Sequence, residues 1–419
     1  MNNIKKISKS FFSKIVAFAG FYLCDIILAR GLSIDDYAEW SYFFSIAHIV
    51  LWVSNFGVSL TIRTLVAKQT SPERRRYYIC CGIILRFIIS FIFAVAFVAF
   101  SRIIAEISGW PAQYPDLVFL IRFGCLLPFL MAFTELWKDI FIGSSDLNSL
   151  VAMALFEHVG YAAGCLIGVL IFRNIIGALA GYYFGYVLSS IMGVILTKTS
   201  FSGFNLSGET KSDLFNIFKS ALPFVVTSVI AFVILEMDTV MIGMFHVGNE
   251  DLANYSVAKK LIQKAIHVNE AFLHAMLPQF AIINENNYSE LQSRFRKIRN
   301  TNFLITLSLG LGMAIILTVI VPIIYGDGYE NTRIYILALI PSYLLSGISQ
   351  CYMQFLYFRS KAKNVSICYT LSFVINLIMN WLLIPRIGAI GAAIGTVISL
   401  SPFPVLLAIQ SKREWVKHE

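Results

Sequence analysis

Charge is what this sequence has least of. Only 14% of its 419 residues are Asp, Glu, Lys or Arg, against about a quarter in a soluble domain. Several other things are missing, and each excludes a class of protein. There is no series of ten-residue alternating strands, which argues against a β-barrel. No strand followed by Gly-Lys-Ser/Thr marks a phosphate loop. No Ser/His/Asp, zinc or paired-carboxylate arrangement has a useful spacing, so neither a catalytic site nor a metal or cofactor is expected. The longest non-membrane segments, about 197–220 and 278–301, are too short for a nucleotide-binding domain. The chain is therefore not expected to be an enzyme. Its seven cysteines (Cys24, Cys80, Cys81, Cys125, Cys165, Cys351, Cys368) all lie in apolar runs, where they serve as small core residues rather than a disulfide framework. The first apolar run lacks a small-residue cleavage pattern and is expected to be a span, not a removable leader.

What the sequence does have is apolar length. Hydrophobic residues make up 58% and the mean hydropathy is +0.73. A helix needs roughly 20 apolar residues to cross ~30 Å of hydrocarbon at ~1.5 Å per residue. Such runs fall at about 12–33, 38–60, 79–100, 117–136, 150–172, 176–196, 221–244, 254–277, 302–325, 333–357, 365–384 and 389–409. Arg173-Asn174 parts spans 5 and 6, and Pro385-Arg386 parts spans 11 and 12. Twelve spans with the N-terminus in the cytoplasm place 23 basic residues on the inside and 5 in the outer loops. An error in the count would swap the sides of every later loop, so the bias supports twelve spans with both termini cytoplasmic. The same tally explains the net charge of +9: it is topological and meets anionic headgroups, and nucleic acid is not an expected partner.

The second half echoes the first. Asp25 is followed by Asp35-Asp36-Tyr37-Ala38-Glu39-Trp40-Ser41, and Asp238 by Asp251-Leu252-Ala253-Asn254-Tyr255-Ser256. Gly177-Ala178 and Gly185 in span 6 match Gly388-Ala389 and Gly395 in span 12; the offsets are 213 for the aspartates and 211 and 210 for the glycines. Six spans per half make a parallel repeat, with an N-terminal bundle at 1–200, a cytoplasmic linker at 201–220 and a C-terminal bundle at 221–419. Gly177, Gly181 and Gly185, four residues apart, form a smooth face for close helix contact, as do Gly391 and Gly395.

Charges inside spans cost ~3 kcal/mol at mid-bilayer and so mark a cavity or a partner. Span 8 has most of them: Lys260, Gln263, Lys264, His267, Glu270 and His274 fall within an arc of ~120°, with Lys259 beside it. Ile262, Ala265, Val268, Phe272 and Leu273 lie opposite, with Asn269 as the exception. Span 2 carries a polar row at Ser41, Ser45, His48, Trp52 and Asn55, and span 11 has Asn376 and Asn380 one turn apart. Two readings stay open. Lys259, Lys260, Lys264 and His267, with Arg86 and Arg122, line a cavity for an anionic substrate, while Asp25, Glu236, Asp238 and Glu270 carry a coupling proton or sodium ion. Alternatively, Asp25, Glu236 and Asp238 pair with the lysines of span 8 and act structurally.

Several loose patterns occur in a consistent order. They are Leu28-Ala29-Arg30-Gly31-Leu32-Ser33-Ile34-Asp35-Asp36-Tyr37, then Asn55-Phe56-Gly57-Val58 with Arg63, and Leu222-Pro223. Asp238-Thr239-Val240-Met241-Ile242-Gly243 and Asn254-Tyr255-Ser256-Val257-Ala258-Lys259-Lys260 follow. In this order and frame the chain resembles the multidrug/oligosaccharidyl-lipid/polysaccharide exporter superfamily, and within it the O-antigen flippases of the polysaccharide-transport branch. The resemblance implies an all-α membrane protein with two six-helix bundles and alternating access. It also implies an undecaprenyl-diphosphate-linked glycan as substrate, in a bacterial inner membrane, and an O-antigen polymerase and chain-length regulator as partners. Twelve spans rather than fourteen count against the related lipid II flippases, and the near balance of interior charge counts against a strongly cationic lumen. A drug or metabolite exporter of the same fold is the alternative. A membrane glycosyltransferase or polymerase would need a larger outer loop than about 101–116.

Overall fold

The computed structural model describes residues 2–197, 208–276, 288–359 and 361–416. Among the described residues there is no strand, and the chain forms sixteen helices in two compact units, Met1–Glu236 and Met237–Glu419. The first unit holds α1 (Asn2–Gly31), α2 (Ile34–Asn55), α3 (Val58–Lys68), α4 (Pro72–Ala99), α5 (Ser101–Ile107), α6 (Leu117–Gly124), α7 (Leu126–Gly143), α8 (Leu147–Phe172) and α9 (Ile175–Thr197). α10 (Gly208–Met244) begins in the first unit and ends in the second. α11 (Asn249–Met276), α12 (Tyr288–Tyr325), α13 (Thr332–Phe358), α14 (Ala362–Ile387), α15 (Ala389–Leu400) and α16 (Pro402–Val416) complete the second. Of the expected linker 201–220, residues 201–207 lie outside the described residues, and the remainder is the start of α10.

Each of the twelve apolar runs falls on one helix or on a consecutive pair. Seven helices are long and apolar enough to cross a membrane, or up to nine if each bent pair counts as one span, among the described residues. The other three expected spans lie on α1, α10 and α11, which carry Asp25, Glu236 with Asp238, and the Lys259–Glu270 face. This is a multi-pass membrane protein.

Local chemistry sets the helix ends. Ser33 accepts the Asp36 N–H at 3.1 Å, and Asp35 and Asp36 occupy the first turn of α2, where the helix dipole favours anions. α2 and α3 meet at 47°, because Phe56 (φ 44°) and Gly57 (φ 68°) both adopt the left-handed region. Arg173, also left-handed at φ 49°, ends α8 where the sequence parts spans 5 and 6. The parting of spans 11 and 12 is displaced. α14 runs through Pro385 to Ile387, and the chain turns at Gly388, whose φ of 65° suits glycine better than any side chain. A proline near a helix end removes one hydrogen bond but does not reverse the chain.

In the first unit α8 and α9 pack most closely, with α1 against α8. The smooth face on α9 meets a second one that the sequence reading missed. Gly160, Gly164 and Gly168 of α8 oppose Gly185, Gly181 and Gly177 of α9, and a methyl group on Gly164 would stand 2.7 Å from the Gly181 carbonyl oxygen. Backbones this close leave no room for a side chain. Behind them, Val58 and Ile62 of α3, Leu85 of α4 and Leu136 and Ile140 of α7 form a core.

In the second unit α13 is the centre, packing on α11, α12, α15 and α16. Asn269, the polar exception on the apolar side of α11, is fully buried, as is appropriate to its bonds. It donates to Asn302 Oδ1 (3.0 Å) and Thr306 Oγ1 (2.7 Å), and accepts from the Tyr343 hydroxyl (2.9 Å). α12, at 38 residues, turns Ile315 and Ile323 outward at 69% and 68% exposure, as a lipid-facing helix does.

The two units share details as well as helix order. Glu39, early in α2, is buried against the backbone amides of Asp116 and Leu117 at the start of α6. Asn254, 215 residues later, is buried early in α11; it donates to the Gly328 carbonyl (2.8 Å) and accepts from Thr332 (2.7 Å) at the start of α13. The same 215-residue step relates Tyr114 and Tyr329, both buried in the loops so engaged.

Candidate functional site

Asp238 is a buried carboxylate on α10 with four donors around it. Its Oδ1 accepts from Asn376 Nδ2 (3.1 Å) and Asn380 Nδ2 (2.7 Å), and its Oδ2 from the hydroxyls of Tyr255 (2.8 Å) and Thr396 (2.5 Å). The asparagine pair noted on span 11 thus meets one of the intramembrane acids, from α14. Asn380 Oδ1 is buried and makes no hydrogen bond. A half-turn of either amide exchanges its nitrogen for its oxygen. The same residues would then present carbonyl, hydroxyl and carboxylate oxygens, a set that suits a hard cation. One carboxylate balances one positive charge, so the nest matches a proton or a monovalent ion. Among the described residues no group of three or more His, Cys, Asp or Glu side chains could hold a metal ion.

The other three acids have different surroundings. Asp25 is buried and accepts from the Tyr37 hydroxyl at 2.9 Å. Each unit therefore buries an aspartate that a tyrosine of the next long helix bonds. Glu236 accepts from Ser45 (3.0 Å) and lies 3.3 Å from His48 Nδ1. Glu270 lies 2.7 Å from His267 Nδ1 and accepts weakly from Gln350 (3.4 Å).

The basic residues divide likewise. Lys260, Gln263, Lys264, His267 and Glu270 are all half-buried along one side of α11, while Ile262, Asn269 and Leu273 on the other side are buried. The side chain of His274 lies outside the described residues. Lys259 is buried and donates to Thr239 Oγ1 at 2.6 Å, beside Asp238 in sequence. Arg122 is exposed on α6 and donates to Ser101.

Arg86 is enclosed completely. Its Nη1 donates to the Ser54 carbonyl (2.8 Å) and its Nε to that of Ala132 (3.2 Å). Ser54 lies in the last turn of α2, whose carbonyls lose their helical partners at the Phe56–Gly57 break. The guanidinium is placed where a helix C-terminus favours a cation, and it fastens α2 to α7.

Sequence reasoning missed one charge cluster. Lys138, one of the 23 basic residues that the twelve-span frame places on the inside, sits in α7 between Glu135 Oε1 (2.9 Å) and Glu157 Oε2 (2.8 Å). The i, i+3 spacing of Glu135 and Lys138 was visible, but the Glu157 contact joins two helices and was not.

Comparison with known proteins extends the geometry. A family model described as "Polysaccharide biosynthesis protein" matches residues 5–284. No curated protein matches the chain. A multidrug resistance MATE family transporter of the MOP superfamily, in its inward-facing conformation, is similar at TM-score 0.79 and 13% identity, over 97% of this chain and 98% of that one. A MOP superfamily transporter from Pyrococcus furiosus, described as having a binding pocket of reverse polarity, gives 0.68 and 13%, over 99% and 96%. The lipid II flippase MurJ, inward closed, gives 0.67 and 15%, over 99% and 90%. At such identities the likeness establishes a shared fold.

Proposed function

The chain belongs to the polysaccharide biosynthesis protein family, and on that premise we propose that it is a flippase for an undecaprenyl-diphosphate-linked oligosaccharide. The cargo is an O-antigen or related surface-polysaccharide repeat unit, moved from the cytoplasmic to the periplasmic leaflet of a bacterial inner membrane by alternating access. The observation that carries this reading is the half-buried basic row of α11, which lies inside the family match. Lys260 and Lys264, at i and i+4, hold their Cβ atoms about 5–6 Å apart, and two ammonium groups match the two negative charges of a diphosphate diester. Gln263 and His267 offer hydrogen bonds to glycan hydroxyls from the same face. Asp238 supplies the coupling: a proton or sodium ion in its nest neutralises the carboxylate and rearranges the donors that hold it.

The test is reconstitution. Purified protein in liposomes should move a labelled lipid-linked glycan between leaflets, with Asp238→Asn abolishing the dependence on a sodium or proton gradient. Exchange of cationic drugs for cations, with no movement of the glycan, would instead establish a drug exporter of the same fold. In the host, deletion should remove the surface polysaccharide and leave lipid-linked single units inside.

A further inference from the structure

Two buried carboxylates in this chain are held in opposite ways. Asp238 takes two donors on each of its oxygens. Glu39, 2% exposed near the start of α2, receives the Asp116 and Leu117 backbone amides, while its Oε1 is buried and makes no hydrogen bond. An ionised carboxylate spreads its charge over both oxygens and draws donors to each. One bare oxygen is the pattern of an acid that carries no charge.

The charged groups that act on Glu39 are themselves acids, Asp116 at the start of α6 and Asp36 one turn back on α2. Like charges at this spacing oppose each other. Among the described residues Glu39 makes no ion pair, and no group of three or more His, Cys, Asp or Glu could hold a metal ion in place of a base. Arg30 of α1 and Arg122 of α6 are exposed. On the other helices packed against α2 the charges are engaged elsewhere: Asp25 with Tyr37, Arg86 with two carbonyls, and Lys138 with Glu135 and Glu157. The phenols on this side are Tyr42, which shares a 2.6 Å hydrogen bond with Ser108, Tyr114 stacked on it, and Tyr182 of α9. What remains to neutralise the carboxylate is a proton.

The second unit makes the equivalent join with a group that is never charged. Asn254, 215 residues on, uses a neutral amide to hold the Gly328 carbonyl and Thr332. A protonated glutamic acid is the nearest match in the first unit to that amide, with one acceptor oxygen and one donor. A neutral hydroxyl buried without a partner also costs far less than an unpaired charge. We propose that Glu39 is a proton-binding site: the first unit folds around the neutral acid, and its resident proton lets α2 close on the start of α6. The site is separate from Asp238 and does not rest on the flippase reading, since neither the proton nor its test involves a substrate.

Infrared spectroscopy of the purified full chain reads the proton directly. At neutral pH the difference spectrum between the parent and Glu39→Gln should contain a protonated-carboxyl C=O band, which glutamate labelled with carbon-13 shifts. A carboxylate band in its place overturns the proposal. Melting in detergent gives the second measurement. Glutamine has the shape of the neutral acid, so Glu39→Gln should melt no lower than the parent at neutral pH. A variant that melts several degrees lower, or does not fold, shows that the charge is needed and overturns the proposal as well. Raising the pH should then lower the melting temperature of the parent relative to Glu39→Gln, because the folded parent holds a proton that the unfolded chain has released. Parallel melting of the two proteins across the alkaline range would refute a proton held in the folded state.

Discussion

Replacing Lys138 with methionine should destabilise the first unit. The Lys138 side chain is 20% exposed, and its ammonium lies under 3 Å from each of two carboxylates. Methionine keeps the length of the side chain and removes the charge. Glu135, at 35% exposure, can recover water, whereas Glu157, at 4%, cannot. Removing one partner of a buried pair costs about 3–5 kcal/mol, and nearly all of it would come from Glu157. Sensitivity of melting to free energy falls with chain length, so a loss of roughly 5 °C is expected in a 419-residue protein. The assay is thermal denaturation in detergent, followed by the loss of monodisperse protein on size exclusion. Glu157→Gln added to Lys138→Met should restore most of the loss, because the stranded charge goes with it. A Lys138→Met protein that melts within a degree of the parent, or a double variant no better than the single, would refute the reasoning.

Three further outcomes follow from the packing and the site. Gly181→Leu should sharply lower the yield of folded protein, since the new side chain meets the α8 backbone, while Gly248→Leu, with open space around it, should not. Asn269→Leu strands Tyr343 and Asn302 and should cost about 2–3 kcal/mol, read as a lower melting temperature. Lys260→Gln with Lys264→Gln should impair glycan flipping at normal membrane levels, and full activity would remove α11 from the substrate path.

Much of the frame was legible because it depends on run length. Twelve apolar stretches, the parting at Arg173 and the amphipathic side of α11 all follow from properties of a single helix, whereas the parting read at Pro385-Arg386 falls at Gly388. What was not legible depends on which helix faces which. Small residues at Gly177, Gly181 and Gly185 announce a close contact but do not name Gly160, Gly164 and Gly168 as its other half. Asp238 and the Asn376/Asn380 pair each stood out, but 138 residues separate the first two and only the fold joins them. Arg86 shows the limit from the other side. A cation in an apolar run reads the same whether it faces water or caps the broken end of α2. The Lys138 cluster was not legible because a lysine near a span end reads as a headgroup cation, and its second carboxylate lies on another helix.

α12 is about 57 Å long, nearly twice the ~30 Å hydrocarbon layer. Its outward apolar side runs from Phe303 to Ile324, roughly 32 Å, and Arg294, Arg296, Lys297 and Arg299 occupy the turns before it. The helix is therefore a depth gauge. Headgroups hold the basic turns at one height, and hydrocarbon must cover the stripe that follows. In a thinner bilayer the stripe stays covered if α12 tilts or the lipid thickens around it, at a cost of fractions of a kcal/mol per ångström of mismatch. α13 packs along α12 and also against α11, so the tilt reaches the basic row on α11. The thickness of the surrounding membrane then becomes a mechanical input to transport, separate from any ion gradient.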